Sequence, residues 1–230
     1  MSAMVDAIML DFYGTVACDE LDVIGQICER AASDAGRVEL APEVGRQWST
    51  LFFQECARSY GTEFKTQREA ALGSLQVVLQ RIGFSADPEE LTRPLFEYWR
   101  HPRIFDDSRV FLSTLPLPVC IVSNIDRTDL EAAIDEHGIR VDHLVTSEDV
   151  RSYKPRPELF DRAAELLEIR LGDALHVGDS LSNDVAGANA AGVPVAWVNR
   201  SRSQRPQGVE LWAEVVDLVD LAGRLAAAEP

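Results

Sequence analysis

The stretch VDAIMLDFYGT, residues 5–15, begins with an apolar run and ends in a polar turn. Residues 5–11 are mostly β-branched or long aliphatic side chains, which predicts a buried strand that ends at Asp11. Gly14 follows three positions later and permits a tight turn at the end of that strand. We therefore expect Asp11 to lie at the carboxyl end of a buried strand.

The pattern becomes helical between residues 17 and 101, where no strand pattern interrupts it. Helices are predicted at residues 21–34, 43–59, 66–82 and 88–98. Pro42 and Gly83 separate helices, and Pro94 is expected to kink or shorten the last one. Four consecutive helices indicate a helical bundle or cap.

Strand and helix patterns alternate in the second half of the chain. Strands are predicted at residues 118–123, 142–146, 174–178 and 193–198, with a short further strand near 211–216. Helices are predicted at residues 106–114, 127–137, 157–168, 183–191 and 217–227. This alternation is typical of a parallel sheet with helices on both faces. Ligands bind such sheets at the carboxyl ends of the strands, so polar residues at those ends are the candidate site residues.

The composition restricts the class of partner and the compartment. A formal net charge of −16 argues against nucleic-acid or membrane binding, although a local metal and a lysine still permit a small anionic substrate. No apolar run approaches the roughly 20 residues of a membrane helix, and the first residues lack a secretory signal pattern. The cysteines lack metal-ligand spacing, so we expect free thiols and a cytoplasmic protein.

Polar residues follow four of the predicted strands. In chain order they are Asp11, then Ser123 and Asn124 in CIVSN, then Lys154 in RSYKPRP, then Asp179 and Asp184 in HVGDSLSND. A single aspartate at a strand end is often only a turn or cap residue. Four such positions at successive strand ends of one sheet are instead typical of an active site.

This order and spacing resemble the four motifs of the haloacid dehalogenase superfamily, and the resemblance covers the whole chain. It implies a three-layer α/β sandwich with a parallel Rossmann-like sheet, formed by residues 1–16 and 102–230. It also implies an α-helical cap, residues 17–101, inserted after the first motif. Closure of the cap, with hinges near Val16–Asp19 and His101–Ile104, would exclude water from the site.

The resemblance also implies roles for individual residues. Asp11 would be the nucleophile, and water would hydrolyse the resulting ester or acyl phosphate. Ser123 would hydrogen-bond the transferring group, and Lys154 would balance the negative charge. The implied substrate contacts are Tyr13, Gly14, Thr15 and Asn124. The implied Mg²⁺ ligands are Asp11, the carbonyl of Tyr13, Asp179 and Asp184.

Position 13 departs from the superfamily's phosphatase pattern. Phosphatases usually carry a second aspartate there, which protonates the leaving group. Tyrosine has an ordinary pKa of about 10, so Tyr13 is a poor general base near neutral pH. Tyrosine at this position is a hallmark of the superfamily's 2-haloacid dehalogenases, in which halide leaves without a proton.

Two features oppose a dehalogenase. Those enzymes need no metal and have a fourth motif resembling Ser-Ser-Asn-x-x-Asp, whereas residues 178–184 read GDSLSND, the acidic phosphatase-like form. They also use a cap arginine to receive the halide, for which Arg46 and Arg58 are the candidates. A phosphonate hydrolase would need a cap lysine, and Lys65 lies in surroundings unlike that branch.

Three function classes follow. The predicted one is a Mg²⁺-dependent phosphatase acting on a small phosphorylated metabolite, preferably one whose leaving group needs no proton. The alternatives are a 2-haloacid dehalogenase and a weakly active or non-catalytic binder of a phosphorylated ligand. His176 is expected only to pack within its strand. Among the cap aromatics, Phe52, Phe53 and Tyr60 are candidates for a substrate pocket that faces Asp11.

Overall fold

A six-stranded parallel sheet forms the centre of the structure, a computed structural model that describes residues 5–228. Its strands are β1 (Ala7–Leu10), β2 (Val119–Ser123), β3 (His143–Thr146), β4 (Ala174–Gly178), β5 (Val195–Val198) and β6 (Ala213–Val215). They lie in the order β3-β2-β1-β4-β5-β6, and every neighbouring pair is parallel. Each strand falls within a predicted strand segment, and the predicted α/β class is confirmed.

Helices cover both faces of the sheet. Ile8 and Leu10 of β1 join one apolar cluster, and Met9 between them joins another, because successive strand residues face opposite sides. The helices packed on the first face are α5 (Asp106–Thr114), α6 (Arg127–His137) and α10 (Leu218–Ala228); those on the second are α8 (Glu158–Leu167) and α9 (Ala186–Ala191). A short helix, α7 (Ser147–Val150), follows β3. Burial on both faces explains the nearly continuous apolar strands.

Four helices, called the cap helices below, lie between β1 and α5. They are α1 (Leu21–Asp34), α2 (Ala41–Arg58), α3 (Gln67–Ile82) and α4 (Pro88–Arg100). Helix α2 packs against α1 and α3, and α4 packs against both α1 and α3. The expected shortening at Pro94 is wrong, since α4 continues to Arg100. Pro94 is exposed, so water can bind the carbonyl that its missing N–H leaves unpaired.

The cap helices and the sheet are joined by several contacts. The two connecting segments bind each other, since the Cys18 amide donates to the Arg103 carbonyl at 2.8 Å. Asp126, beyond β2, accepts hydrogen bonds from the backbone amides of Gln67 at 2.6 Å and Arg68 at 3.1 Å, at the start of α3. One apolar cluster also spans both parts. The division at residues 17–101 therefore stays a prediction.

No helix within residues 5–228 is long and apolar enough to cross a membrane.

Candidate active site

The strand order brings the predicted site residues to one edge of the sheet. Strand β1 pairs with β2 on one side and with β4 on the other. The residues at the ends of these strands, Asp11, Ser123 and Asp179, are therefore neighbours. Asp11 is 6% exposed and Ser123 is 1% exposed, and both line a cavity of about 680 Å³.

Lys154 lies at the centre of this edge and is almost fully buried. Its Nζ donates to Asp11 Oδ1 at 2.7 Å, to Asp184 Oδ1 at 2.6 Å and to the Val122 carbonyl at 2.8 Å. Although burial alone would lower the pKa of Lys154, the two carboxylates hold it above its ordinary value. The ammonium is therefore charged and fixes one oxygen of Asp11.

Asn124, a predicted substrate contact, is bonded to Lys154 instead. Its Oδ1 accepts from the Lys154 amide at 2.7 Å, and its Nδ2 donates to the Lys154 carbonyl at 3.1 Å. These two bonds join the loop after β2 to the loop that carries the lysine. Asn124 thus positions Lys154 beside Asp11, and it also lines the cavity.

Three carboxylates meet beside the lysine. Asp11, Asp179 and Asp184 each offer an oxygen within 4.8 Å of the others. Burial raises the pKa of Asp179 well above its ordinary value, and the charges of Asp11 and Asp184 add to the shift. Three carboxylates against one ammonium leave a formal excess of two negative charges, which one divalent cation would balance. The donor set, all oxygen, suits Mg²⁺.

Asp184 is held in place by donors on several sides. Its Oδ2 accepts from the Ser180 amide at 2.9 Å, and its Oδ1 lies 3.0 Å from His176 Nε2. Although burial would raise the pKa of Asp184, Lys154 and His176 hold it below its ordinary value. Because its oxygens already accept hydrogen bonds, Asp184 suits an orienting role better than a direct bond to a metal.

His176 is buried within β4, as the sequence predicts, and also contacts Asp184. That contact was not predicted, since no spacing rule joins a strand residue to a loop eight positions later. Gly178 has a second role that its sequence context does not reveal. A Cβ at Gly178 would lie 2.3 Å from Cγ of Asp184, so only glycine lets this carboxylate fold back over the strand end.

Gly14 and Thr15 hold Asp179. Gly14 has φ +90°, and a Cβ there would lie 2.5 Å from Asp179 Oδ1. Thr15 Oγ1 donates to the same oxygen at 3.2 Å. Both predicted substrate contacts therefore lie against the carboxylate of Asp179. Gly14 also lines the cavity, whereas Thr15 is fully buried.

Tyr13 directs its hydroxyl away from the carboxylates. The hydroxyl donates to the backbone carbonyl of Trp99 in α4. Burial raises the pKa of Tyr13 well above its ordinary value, and nearby carboxylates add to the shift. Tyr13 therefore cannot serve as a base, and its hydroxyl joins the loop after β1 to the cap helices.

The candidate cap residues divide into those that line the cavity and those that do not. Phe52 and Phe53 line it, whereas Tyr60 lies beside it and packs its ring 4.0 Å from the guanidinium of Arg156. The predicted halide-binding and phosphonate-type candidates are Arg46, Arg58 and Lys65, and none is among the described residues that line the cavity. Arg46 pairs with Glu43 on the outside of α2, and Lys65 pairs with Glu55.

Glu20 is a cavity residue that the sequence did not single out. It lies just before α1 and lines the same cavity as Asp11. Burial raises the pKa of Glu20 above its ordinary value, and the charge of Asp19 adds to the shift. No motif marks a lone glutamate in a connecting segment, so only the three-dimensional arrangement identifies it.

Known proteins resemble the chain over most of its length. A family model described as haloacid dehalogenase-like hydrolase matches residues 5–192. An (S)-2-haloacid dehalogenase of Pseudomonas putida is 27% identical over 201 residues, covering 85% of this chain and 86% of that protein. An N-acylneuraminate-9-phosphatase of Mus musculus is 26% identical over 158 residues, covering 64% of this chain and 62% of that protein.

Solved structures share the fold. The crystal structure of the L-2-haloacid dehalogenase RSc1362 matches with a TM-score of 0.80 and 20% identity, covering 97% of this chain and 99% of that one. Three (S)-2-haloacid dehalogenases match at 25–27% identity over 84–86% of this chain, which fits the dehalogenase alternative better than the phosphatase prediction. Dehalogenases and phosphatases are both hydrolases. From its sequence match and its fold, the chain belongs to the haloacid dehalogenase-like hydrolases.

Proposed function

We propose that this hydrolase is a Mg²⁺-dependent phosphatase that uses Asp11 as a covalent nucleophile. The observation that carries the proposal is the cluster of Asp11, Asp179 and Asp184, whose oxygens lie within 4.8 Å of one another. With Lys154 as their buried ammonium partner, these carboxylates keep an excess of negative charge. Such a cluster is unfavourable unless a cation neutralises it.

The residues divide the chemical work between them. Lys154 binds Oδ1 of Asp11, which leaves Oδ2 to attack phosphorus while the bond from phosphorus to the leaving oxygen breaks. Water then attacks the phosphorus of the phosphoaspartate, and phosphate leaves while Asp11 is regenerated. Ser123, at the end of β2, would hydrogen-bond the phosphoryl oxygens.

Asp11, Asp179 and the carbonyl of Tyr13 would hold the cation, and Asp184 would orient its surroundings. When bound, Mg²⁺ would neutralise the phosphoryl oxygens and lower the barrier to attack. Lys154 and His176 keep Asp184 ionised, so the arrangement of the carboxylates is maintained near neutral pH.

Glu20 is our candidate for the proton donor that position 13 lacks. The hydroxyl of Tyr13 is bound to the Trp99 carbonyl and has a raised pKa, so it is a poor donor to a leaving group. The carboxyl group of Glu20 lines the cavity, and burial raises its pKa, as suits a general acid.

The proposed function is tested by phosphate release from acetyl phosphate and p-nitrophenyl phosphate, in Mg²⁺ and in EDTA. We expect turnover in Mg²⁺ only, and its loss in Asp11→Asn. Turnover that survives in EDTA would exclude the metal-dependent mechanism. Tight binding of the phosphate compounds without turnover would support a non-catalytic binder instead.

A 2-haloacid dehalogenase is the second candidate. Tyr13 favours it, as do the matches to (S)-2-haloacid dehalogenases. Arg156 also lines the cavity, although its guanidinium lies over the ring of Tyr60 and donates to the Ala57 carbonyl at 3.2 Å. The acidic cluster opposes this candidate, because a metal-independent enzyme would have no cation to neutralise the cluster beside an anionic substrate and a departing halide. Metal-independent chloride release from 2-chloropropionate would establish it.

A further inference from the structure

A second cavity, called the cap chamber below, opens beside the active-site cavity. It has a volume of about 450 Å³ and lies among α1, α2 and α4. Four residues line both cavities, namely Glu20, Leu21, Phe52 and Phe53. The chamber therefore meets the active-site cavity at a shared boundary and offers space for part of a molecule whose other end lies at Asp11.

The walls of the chamber are apolar. They include Ile24, Trp48, Leu95 and Trp99 from the cap helices. The charged residues among the described lining are Glu20 and Glu29, both acidic, and no basic residue lines it. A group held there is consequently apolar and carries no negative charge.

Two glycines keep the chamber open. Gly25 in α1 and Gly45 in α2 lie inside helices, where glycine destabilises the folded state by about 1 kcal/mol relative to alanine. Both line the chamber, and a Cβ at Gly25 would meet nothing within 4 Å. At these two glycines a side chain would fit and would stabilise the helix, so their absence of a side chain leaves the chamber empty there.

The chamber also exposes groups that a ligand would cover. Leu21 is 67% exposed and Phe53 is 58% exposed at the boundary between the two cavities. A ligand that spans this boundary would cover both apolar side chains.

We propose that the cap chamber is the subsite for the leaving group of the substrate, and that the substrates are phosphate monoesters of apolar, uncharged alcohols. This inference rests on the proposed function, since it places the phosphoryl group at Asp11. A chamber of 450 Å³ is within the usual size range of small-molecule sites. Phosphate esters whose alcohol carries a carboxylate would be disfavoured by Glu20 and Glu29.

The first test compares acetyl phosphate with n-alkyl phosphates of increasing chain length. We expect kcat/KM to rise by about threefold to fourfold for each methylene that the chamber buries. Rates that are independent of chain length would overturn the proposal. Hydrolysis of acetyl phosphate reports the proposed function alone, so failure of the chamber is distinguished from failure of phosphoryl chemistry.

The second test fills the chamber. In Gly25→Leu, the ratio of kcat/KM for octyl phosphate to that for acetyl phosphate should fall at least about tenfold. Gly73→Leu is the matched control, because Gly73 is also an exposed position inside a helix with nothing within 4 Å of its Cβ, but it does not line the chamber. An unchanged ratio in Gly25→Leu would contradict the proposal.

A binding measurement keeps the inference testable if turnover is absent. Titration with n-octyl phosphonate in a calorimeter reports occupancy without chemistry. We expect binding by the unmodified protein and by Gly73→Leu, with at least about tenfold weaker binding by Gly25→Leu. Equal affinity in all three would exclude the chamber as the site of the alkyl chain.

Discussion

Tyr13 shows how one residue changes the chemistry open to the site. The usual phosphatase residue at this position is an acid that faces the substrate, whereas the hydroxyl of Tyr13 is bonded to the carbonyl of Trp99. The sequence alone shows that position 13 is a tyrosine. It does not show that the hydroxyl binds the Trp99 carbonyl, because Trp99 lies 86 positions later and its place depends on how α4 packs. The side chain of Tyr13 therefore joins the loop after β1 to the cap helices.

Removing the Tyr13 hydroxyl should affect stability more than chemistry. Tyr13→Phe leaves the Trp99 carbonyl without its donor, so we expect the free energy of unfolding to fall by about 1–2 kcal/mol. Turnover of acetyl phosphate should stay within about threefold, since Tyr13 transfers no proton. Urea denaturation and phosphate release are the two measurements, and a loss of activity beyond about a hundredfold would assign Tyr13 a chemical role.

Replacing Glu20 should separate substrates by their need for a proton. Glu20→Gln should slow alkyl phosphates by about a hundredfold and p-nitrophenyl phosphate by less than about threefold, since nitrophenolate leaves without a proton. Asp19→Asn is the control, because Asp19 also lines the cavity and is more exposed. If Glu20→Gln slows the turnover of both substrates equally, Glu20 is not the proton donor.

The loop after β4 begins with a turn that the sequence did not predict and that positions Asp184. The sequence predicts a helix at 183–191, and the structure instead begins with one wide turn, Leu181–Val185, before α9. In that turn the Val185 amide donates to the Ser180 carbonyl at 3.0 Å. Wide turns of this kind are frequent at functional sites, and this one returns Asp184 to Lys154.

A methyl group at the end of β4 should disturb this turn. In Gly178→Ala, the new Cβ would lie 2.3 Å from Cγ of Asp184, so the loop must shift. We expect a loss of about 1–3 kcal/mol in the free energy of unfolding, and loss of metal-dependent activity. Gly172→Ala is the control, since its Cβ meets nothing within 4 Å. Equal stability of the two variants would show that Asp184 is not confined as described.

The fold was largely predictable from the sequence, and the cavities were not. Buried strands alternate with helices clearly enough to predict the sheet, and the resemblance orders the strand ends. The expected shortening at Pro94 was wrong and the short helix α7 was missed, because exposure and tertiary contacts decide both features. The cap chamber depends on side-chain packing among three helices, which one sequence does not specify.

Because of the acidic cluster, the stability of the folded protein should depend on whether Mg²⁺ is bound. The pKa of Asp179 is raised in the folded state, so its contribution to stability is present below the ordinary carboxyl pKa of about 4 and is lost as the pH rises. In EDTA at neutral pH, Asp179→Asn should therefore be more stable than the unmodified protein by about 1 kcal/mol, seen as a Tm about 2–4 °C higher.

Two comparisons check this assignment. The stabilising effect of Asp179→Asn should shrink as the pH falls towards 4, where the unmodified residue is protonated. Mg²⁺ should raise the Tm of the unmodified protein and leave that of Asp179→Asn nearly unchanged. If Asp179→Asn lowers the Tm in EDTA, the carboxylates are not in repulsion and the site does not need a cation.

Whether Asp11 attacks phosphorus is tested most directly by a single turnover of p-nitrophenyl phosphate with enzyme in excess and Mg²⁺ present, stopped with acid at several times and analysed by mass spectrometry of the peptide that carries Asp11. Because attack on phosphorus forms a phosphoaspartate, this peptide should gain the mass of a phosphoryl group during the turnover and lose it as phosphate is released. Release of nitrophenolate and phosphate with no phosphorylated Asp11 peptide at any time would contradict the covalent mechanism, since water would then attack the phosphate ester directly.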